Sequence, residues 1–125
     1  AKADASVAIT MAAHTSLGSL PLLLYGSEEQ KQRYLPRLVK GKIIGAFGLT
    51  EHDAGSDAGG TKTKAILDGD DYIVNGGKIF ITNAGEASVL SFTSKIEENN
   101  DDLGIGAFII PTNTELNLNL CLVIC

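Results

Sequence analysis

The chain has 125 residues, 44% of them hydrophobic and 20% charged, which is enough to bury a core in one modest domain, or one domain plus part of another, without a structural metal or disulfide. A net charge of -5 and a pI near 4.8, with Lys and Arg scattered rather than clustered, leave no cationic surface for a nucleic-acid backbone. Cys121 and Cys125 both lie at the extreme C-terminal end, so no disulfide staples the body, and no His or Cys cluster has metal-ligand spacing.

Residues 1 to about 25 are rich in Ala, Val, Ile, Leu and small side chains, and Val7, Met11, His14 and Gly18 fall on one helical face. Apolar runs such as Leu20 to Tyr25 are too short to span a bilayer, and the N-terminus lacks the layout of a secretory signal, so the chain reads as soluble and intracellular. Gly26 offers a helix stop, and Ser27 with Gln30 has capping-box spacing, which predicts a second helix over about Glu28 to Val39. Pro36 lacks an amide proton and is expected to interrupt or restart that helix, with Gly41 closing it.

Beyond Gly41 the pattern changes to short β-branched and aromatic runs, at Ile43 to Leu49, Thr61 to Leu67, Tyr72 to Asn75, Lys78 to Thr82, Val89 to Ser94 and Gly106 to Ile110. Asp68-Gly69 and Asn75-Gly76 tolerate positive φ and read as tight connections in an antiparallel meander, whereas the acidic stretch Glu97 to Asp102 reads as an exposed loop. Helices first and strands second favour an α+β fold over alternating βαβ units, and no internal repeat is present. In the tail, Leu116, Leu118, Leu120, Leu122 and Ile124 alternate strictly and predict a strand with one apolar face, an aggregation hazard if unpaired.

The stretch Gly45 to Gly60 is the most informative. An apolar run ends in Thr50-Glu51 and enters a Gly-rich turn, Asp53 to Gly60, that fits either an ordinary surface loop or a cradle of backbone amides and the Ser56 hydroxyl around a phosphate. It is neither a P-loop nor a dinucleotide Gly-x-Gly-x-x-Gly. Glu51 and Asp57 invite an acid/base role, since a carboxylate could abstract a proton next to a thioester carbonyl; His14 and His52 have no triad partner and read as packing or surface residues.

The order of residues in Gly48-Leu49-Thr50-Glu51-His52-Asp53-Ala54-Gly55-Ser56-Asp57 resembles the signature of the acyl-CoA dehydrogenase family. Asn75-Gly76-Gly77-Lys78-Ile79-Phe80-Ile81-Thr82-Asn83 is similar to that family's strand along the flavin. Upstream, His14-Thr15-Ser16-Leu17, Tyr25 to Lys31 and Tyr34-Leu35-Pro36 resemble the end of its N-terminal helical domain. His52 stands where the family commonly has proline, and the tail after Thr114 has no match in the pattern.

The resemblance implies the end of a helical domain over 1–42, a middle domain over 43–114 with an antiparallel, barrel-like sheet, and an unmatched tail over 115–125, as in a fragment of a short-chain or butyryl-CoA type. It implies FAD contacted by Phe47, Leu49, Thr50, Ser56, Phe80, Ile81 and Thr82, with Ser56 near both the pyrophosphate and the acyl-CoA. A flavin needs an apolar or aromatic wall and a few hydrogen-bonding groups at its edge, which these residue types supply. The family's base is a glutamate from a C-terminal helical domain that no segment here resembles, so the resemblance implies turn and hydrogen-bond roles for Glu51 and Asp57, no catalytic residue is expected and the chain alone is expected to be inactive. Complete relatives dehydrogenate acyl-CoA at the α,β bond and pass electrons to an electron-transfer flavoprotein. They are commonly homo-oligomers, in the bacterial cytoplasm or the mitochondrial matrix. The alternatives are a non-catalytic binding module on the same scaffold, or an acyl-CoA oxidase or nitroalkane-oxidising relative.

Overall fold

The computed structural model describes residues 4–112. The alternating apolar tail and both cysteines lie outside the described residues. The described residues divide into two compact units, one drawn from 4–47, 82–91 and 110–112, the other from 48–81 and 92–109.

In the first unit, Asp4 caps helix α1 (Ala5–Ala12) by accepting from the Ser6 amide at 2.7 Å. The helix continues as a π-helical segment, Ala13–Ser19, into α2 (Leu20–Tyr25). Ser19 Oγ donates to the His14 carbonyl at 2.8 Å, a five-residue reach that suits the widened turn. The continuous helix Ala5–Tyr25 has 21 residues and contains an 18-residue stretch of mean hydropathy 1.5, long and apolar enough to cross a membrane by those two measures. The expectation from short apolar runs therefore does not hold for the whole helix, although the core helix of a soluble domain passes the same measures.

What widens the helix at this point is a close backbone approach. A Cβ on Gly18 would lie 2.4 Å from the Gly45 carbonyl carbon, and one on Gly45 would lie 2.9 Å from the Gly18 oxygen. Beside this contact His14 ties three elements: its Nδ1 accepts from the Gly45 amide at 3.1 Å while its Nε2 meets the Leu38 carbonyl at 3.2 Å. An amide can only donate and a carbonyl only accept, so these partners assign the Nε2–H tautomer. His14 is thus a packing residue, as read from the sequence.

Helix α3 (Glu28–Val39) starts at the expected capping box, with the Gln30 amide donating to Ser27 Oγ and the Ser27 amide to Gln30 Oε1. Pro36 does not interrupt it; the helix runs through, with Tyr34 and Leu38 buried on its inner face to hold it where one backbone bond is lost. It ends at Gly41 (φ +63), where Gly41 N–H bonds the Leu38 carbonyl and Lys42 N–H the Arg37 carbonyl, a Schellman ending.

The strands are β1 (Gly45–Gly48), β2 (Lys64–Asp68), β3 (Asp71–Asn75), β4 (Val89–Glu98) and β5 (Asp101–Pro111), hydrogen-bonded in the order β1-β4-β2-β3, with β5 also on β4. Helices precede strands, the α+β order expected. The β2–β3 hairpin turns at Gly69 (φ +65), pairing Asp68 with Asp71 and Ala65 with Val74, whose side chains are buried while Ile66 and Ile73 face outward. The sheet is mixed rather than a pure antiparallel meander, because β2 pairs β4 in parallel, Lys64 opposite Lys95 and Ala65 opposite Ile96.

Two local expectations fail. Residues 97–102 form no loop: β4 and β5 run to a two-residue turn at Asn99 and Asn100, both left-handed (φ 52 and 67), as a type I′ hairpin demands. Conversely Asn75-Gly76 makes no hairpin. Gly76 (φ +154) passes so close to Thr63 that a Cβ would lie 2.4 Å from its hydroxyl, and residues 77–88 then run without strand pairing. In the second unit Phe92 stacks on Phe108 (centroids 5.7 Å apart), which meets the Tyr72 ring edge-on at 5.2 Å.

Two substitutions test this packing. Gly18→Ala forces a methyl into the Gly45 backbone and is expected to cost about 2–3 kcal/mol in thermal unfolding. Thr63 is wholly buried and its Oγ1 has no partner among the described residues, so Thr63→Val is expected to leave stability unchanged or raise it by about 1 kcal/mol in urea unfolding.

Candidate functional site

The two motif segments of the second unit, 48–56 and 75–81, meet around one buried ion pair. Glu51 lies 6% exposed at the end of the run after β1, and its amide and carbonyl close a tight turn with Ala54, Glu51 N–H to Ala54 O at 2.9 Å and Ala54 N–H to Glu51 O at 3.3 Å. His52 and Asp53 form the exposed tip, so backbone bonds close this turn without a proline at position 52. The Glu51 side chain points inward to Lys78 Nζ, 2.7 Å away, and Lys78 is only 1% exposed.

Every polar atom of the pair is answered, as a buried charge requires. Lys78 Nζ also donates to the Leu49 carbonyl at 3.1 Å, to Thr61 Oγ1 at 2.9 Å and to Thr93 Oγ1 at 3.3 Å. The carboxylate further accepts from the Thr61 hydroxyl, from the Lys62 amide at 2.6 Å and from the Thr63 amide at 3.1 Å. Burial alone would push the Glu51 carboxyl up, but the bonds from Lys78, Thr61, Thr63 and the Lys62 amide outweigh it and bring its pKa down to about 2. Glu51 is therefore a hydrogen-bond residue and a poor proton acceptor.

From this pair outward the segments present a surface. Gly48 is buried beneath Lys78 and Ile81; a Cβ there would lie 3.2 Å from Lys78 Cβ and 3.3 Å from Ile81 Cδ1. Leu49 is 39% exposed and Thr50 half-buried, and the Thr50 carbonyl receives the Ile79 amide at 2.8 Å, which fixes the second segment against the first. Phe80 is 73% exposed with a left-handed backbone (φ 56), a conformation that costs a bulky residue on the order of 1–3 kcal/mol. The segment is thus not the strand expected over Lys78 to Thr82.

Of the expected site residues in this unit, Leu49, Thr50, Phe80 and Ser56 come to the surface, whereas the Ile81 side chain is buried. Phe47 and Thr82 belong to the first unit, Phe47 half-buried and Thr82 exposed in a turn. The hydroxyls of Thr50, Ser56 and Thr82 make no bond among the described residues and are available to a ligand. A cavity of about 240 Å³ lined by Lys64, Lys95, Ile96, Glu97, Asn100 and Asp102 contains none of these residues. No group of three or more potential metal ligands occurs among the described residues.

Sequence reading missed Lys78 as an organising residue. The available signal was a lysine inside an apolar run, Lys78 to Ile81, and a glutamate ending another, each costly unless it finds the other.

The arrangement defines a class of protein, an α+β scaffold that presents an exposed apolar wall and free hydroxyls over a rigid, charge-paired base. Residues 46–120 match the model of the acyl-CoA dehydrogenase middle domain, and residues 1–42 that of the acyl-CoA dehydrogenase N-terminal domain. A probable acyl-CoA dehydrogenase of Bacillus subtilis is 50% identical over 114 residues, 90% of this chain and 30% of the relative. Butyryl-CoA dehydrogenase from Megasphaera elsdenii superposes with a TM-score of 0.82 at 44% identity, over 90% of this chain and 30% of that one. An acyl-CoA dehydrogenase from Bacillus anthracis complexed with FAD gives 0.79 at 44% identity, over 86% of this chain and 18% of that one. The chain belongs to the acyl-CoA dehydrogenase family, and it spans about 30% of the length of the Bacillus subtilis relative.

The buried carboxylate sets a pH dependence. A carboxyl whose pKa falls from 4.5 to about 2 on folding contributes stability that is fully present above pH 4.5 and is lost as pH drops through about 2. This contribution is on the order of 3 kcal/mol, and urea unfolding measured from pH 5 to pH 2 is expected to lose that part of its slope in the double variant Glu51→Gln/Lys78→Met.

Proposed function

We propose that this chain supplies the flavin-contacting part of an FAD-dependent acyl-CoA dehydrogenase. The observation that carries the reading is Phe80, an aromatic ring held largely in solvent on a left-handed backbone beside exposed Leu49 and the free Thr50 hydroxyl. Strain of this kind, together with an exposed apolar wall, fits a site that awaits a flat apolar ligand. The FAD complex of the Bacillus anthracis relative supports the flavin as that ligand.

Within the second unit, Leu49 and Phe80 provide apolar surface for an isoalloxazine, Thr50 a hydroxyl for its polar edge, and Ser56 lies in the exposed Gly-rich loop suited to the pyrophosphate and the acyl-CoA; Phe47 and Thr82, in the first unit, are proposed as flavin contacts on the family resemblance. Ile81, whose side chain is buried, packs beside Gly48 beneath that surface. FAD held by these residues would supply the hydride acceptor for α,β-dehydrogenation of an acyl-CoA thioester. Glu51 does not take the accompanying α-proton, because its carboxylate is buried, fully bonded and of low pKa. The substrate class is acyl-CoA, with short-chain substrates favoured by the likeness to the butyryl-CoA enzyme. The proposed electron acceptor is an electron-transfer flavoprotein, supported by the likeness to a chain in the structure of the electron transferring flavoprotein of Acidaminococcus fermentans; a homo-oligomer in the bacterial cytoplasm or mitochondrial matrix is proposed on the family resemblance and on bacterial and mitochondrial relatives.

The test is a titration of FAD into the 125-residue chain, followed by flavin fluorescence. Binding is expected, with Phe80→Ala weakening it about tenfold while leaving the unfolding midpoint nearly unchanged, since the ring is largely exposed. Butyryl-CoA with a dye acceptor is expected to give no turnover by the chain alone. An affinity indifferent to Phe80→Ala would overturn the flavin reading, and turnover would overturn the assignment of the proton abstraction to residues elsewhere.

A further inference from the structure

We propose that Lys78 and Glu51 are positioning residues for the flavin: the buried pair, through the Leu49 carbonyl and the Ile79 to Thr50 bond, sets Leu49, Thr50 and Phe80 in their ligand-ready places. This rests on the flavin reading above and adds to it residues that do not touch the ligand.

Lys78 precedes Ile79 and Phe80 in the chain, and its ammonium grips the carbonyl of Leu49 at 3.1 Å on the other segment. Glu51 follows Thr50, and its carboxylate grips the same ammonium at 2.7 Å. Between these anchors the Ile79 amide donates to the Thr50 carbonyl at 2.8 Å. Leu49 and Thr50 are therefore held from both ends, and Phe80 is two residues from the lysine, so its strained backbone is imposed by fixed neighbours on the N-terminal side.

An exposed wall built on unpaired backbone would be mobile and would lose affinity to the cost of ordering it on binding. A buried, fully bonded ion pair directly beneath removes that cost beforehand. Burying two charges does little for net stability, since apolar replacements of both are often equally stable. What the pair does supply is a fixed geometry, and that geometry lies where the two motifs meet.

The decisive comparison is wild-type chain against Glu51→Gln/Lys78→Met, which leaves no unpaired buried charge and so keeps the fold. FAD affinity, corrected for the folded fraction, is expected to fall about tenfold. Amide exchange at Ile79 is expected to quicken, while the β2–β3 hairpin amides of Ala65 and Val74 keep their protection. Uniform loss of protection in all three amides, with unchanged affinity of the folded fraction, would make the pair merely structural and sink the proposal. Lys78→Arg is the second variant: it keeps the charge but brings a planar fork that does not fit the compact four-acceptor site, so its affinity is expected to fall too. Wild-type-like affinity in Lys78→Arg with the Ile79 amide still protected would likewise overturn the proposal. A wild type that binds no FAD defeats the flavin reading itself, and the positioning role with it.

Discussion

The local geometry where the two motifs of the second unit meet depends on one buried contact, the Lys78 to Glu51 pair. Each partner is a charge in a place that excludes water, and each is tolerable only because the other is there with a full set of hydrogen bonds. Around it the chain has little freedom: Gly48 must stay small to leave room for the lysine stem, Thr61 is drawn in to bond both partners, and the amides of Lys62 and Thr63 point at the carboxylate just before β2 begins. A loop is thereby fastened to a strand start and to an irregular segment that no backbone ladder holds.

In the first unit the equivalent constraint is steric. Gly18 and Gly45 approach backbone to backbone, which only the absence of two side chains permits, and the helix pays for the contact with a π-helical stretch. His14 uses the same opening to bond the end of α3 and the start of β1 with its two ring nitrogens. Small residues and one imidazole do here what a charge pair does in the other unit.

The exposed residues gain their meaning from these constraints. Phe80 and Leu49 would be ordinary surface apolar residues on an unsupported loop; here they stand on a segment tied down by the ion pair, with Phe80 on a left-handed backbone. The same bracing explains why Glu51, a carboxylate inside the family's signature, belongs to the architecture rather than to proton transfer.

Local signals in the sequence were legible because they act over a few residues: the Ser27 and Gln30 cap, the Gly41 stop, the Asp68-Gly69 turn and the passage from helices to strands follow from backbone preferences of the residues involved. The ordered motifs around Thr50 and Phe80 likewise identified the family. Contacts between distant positions decided the rest. Pro36 stays within a helix because Tyr34 and Leu38 are buried, β2 takes β4 as a parallel partner, and Asn75-Gly76 passes Thr63 instead of turning back. Lys78 and Glu51 are 27 residues apart. Their pairing, and the strained backbone of Phe80 that goes with it, required the tertiary structure, because the cost of burying a charge depends on which distant group arrives to meet it.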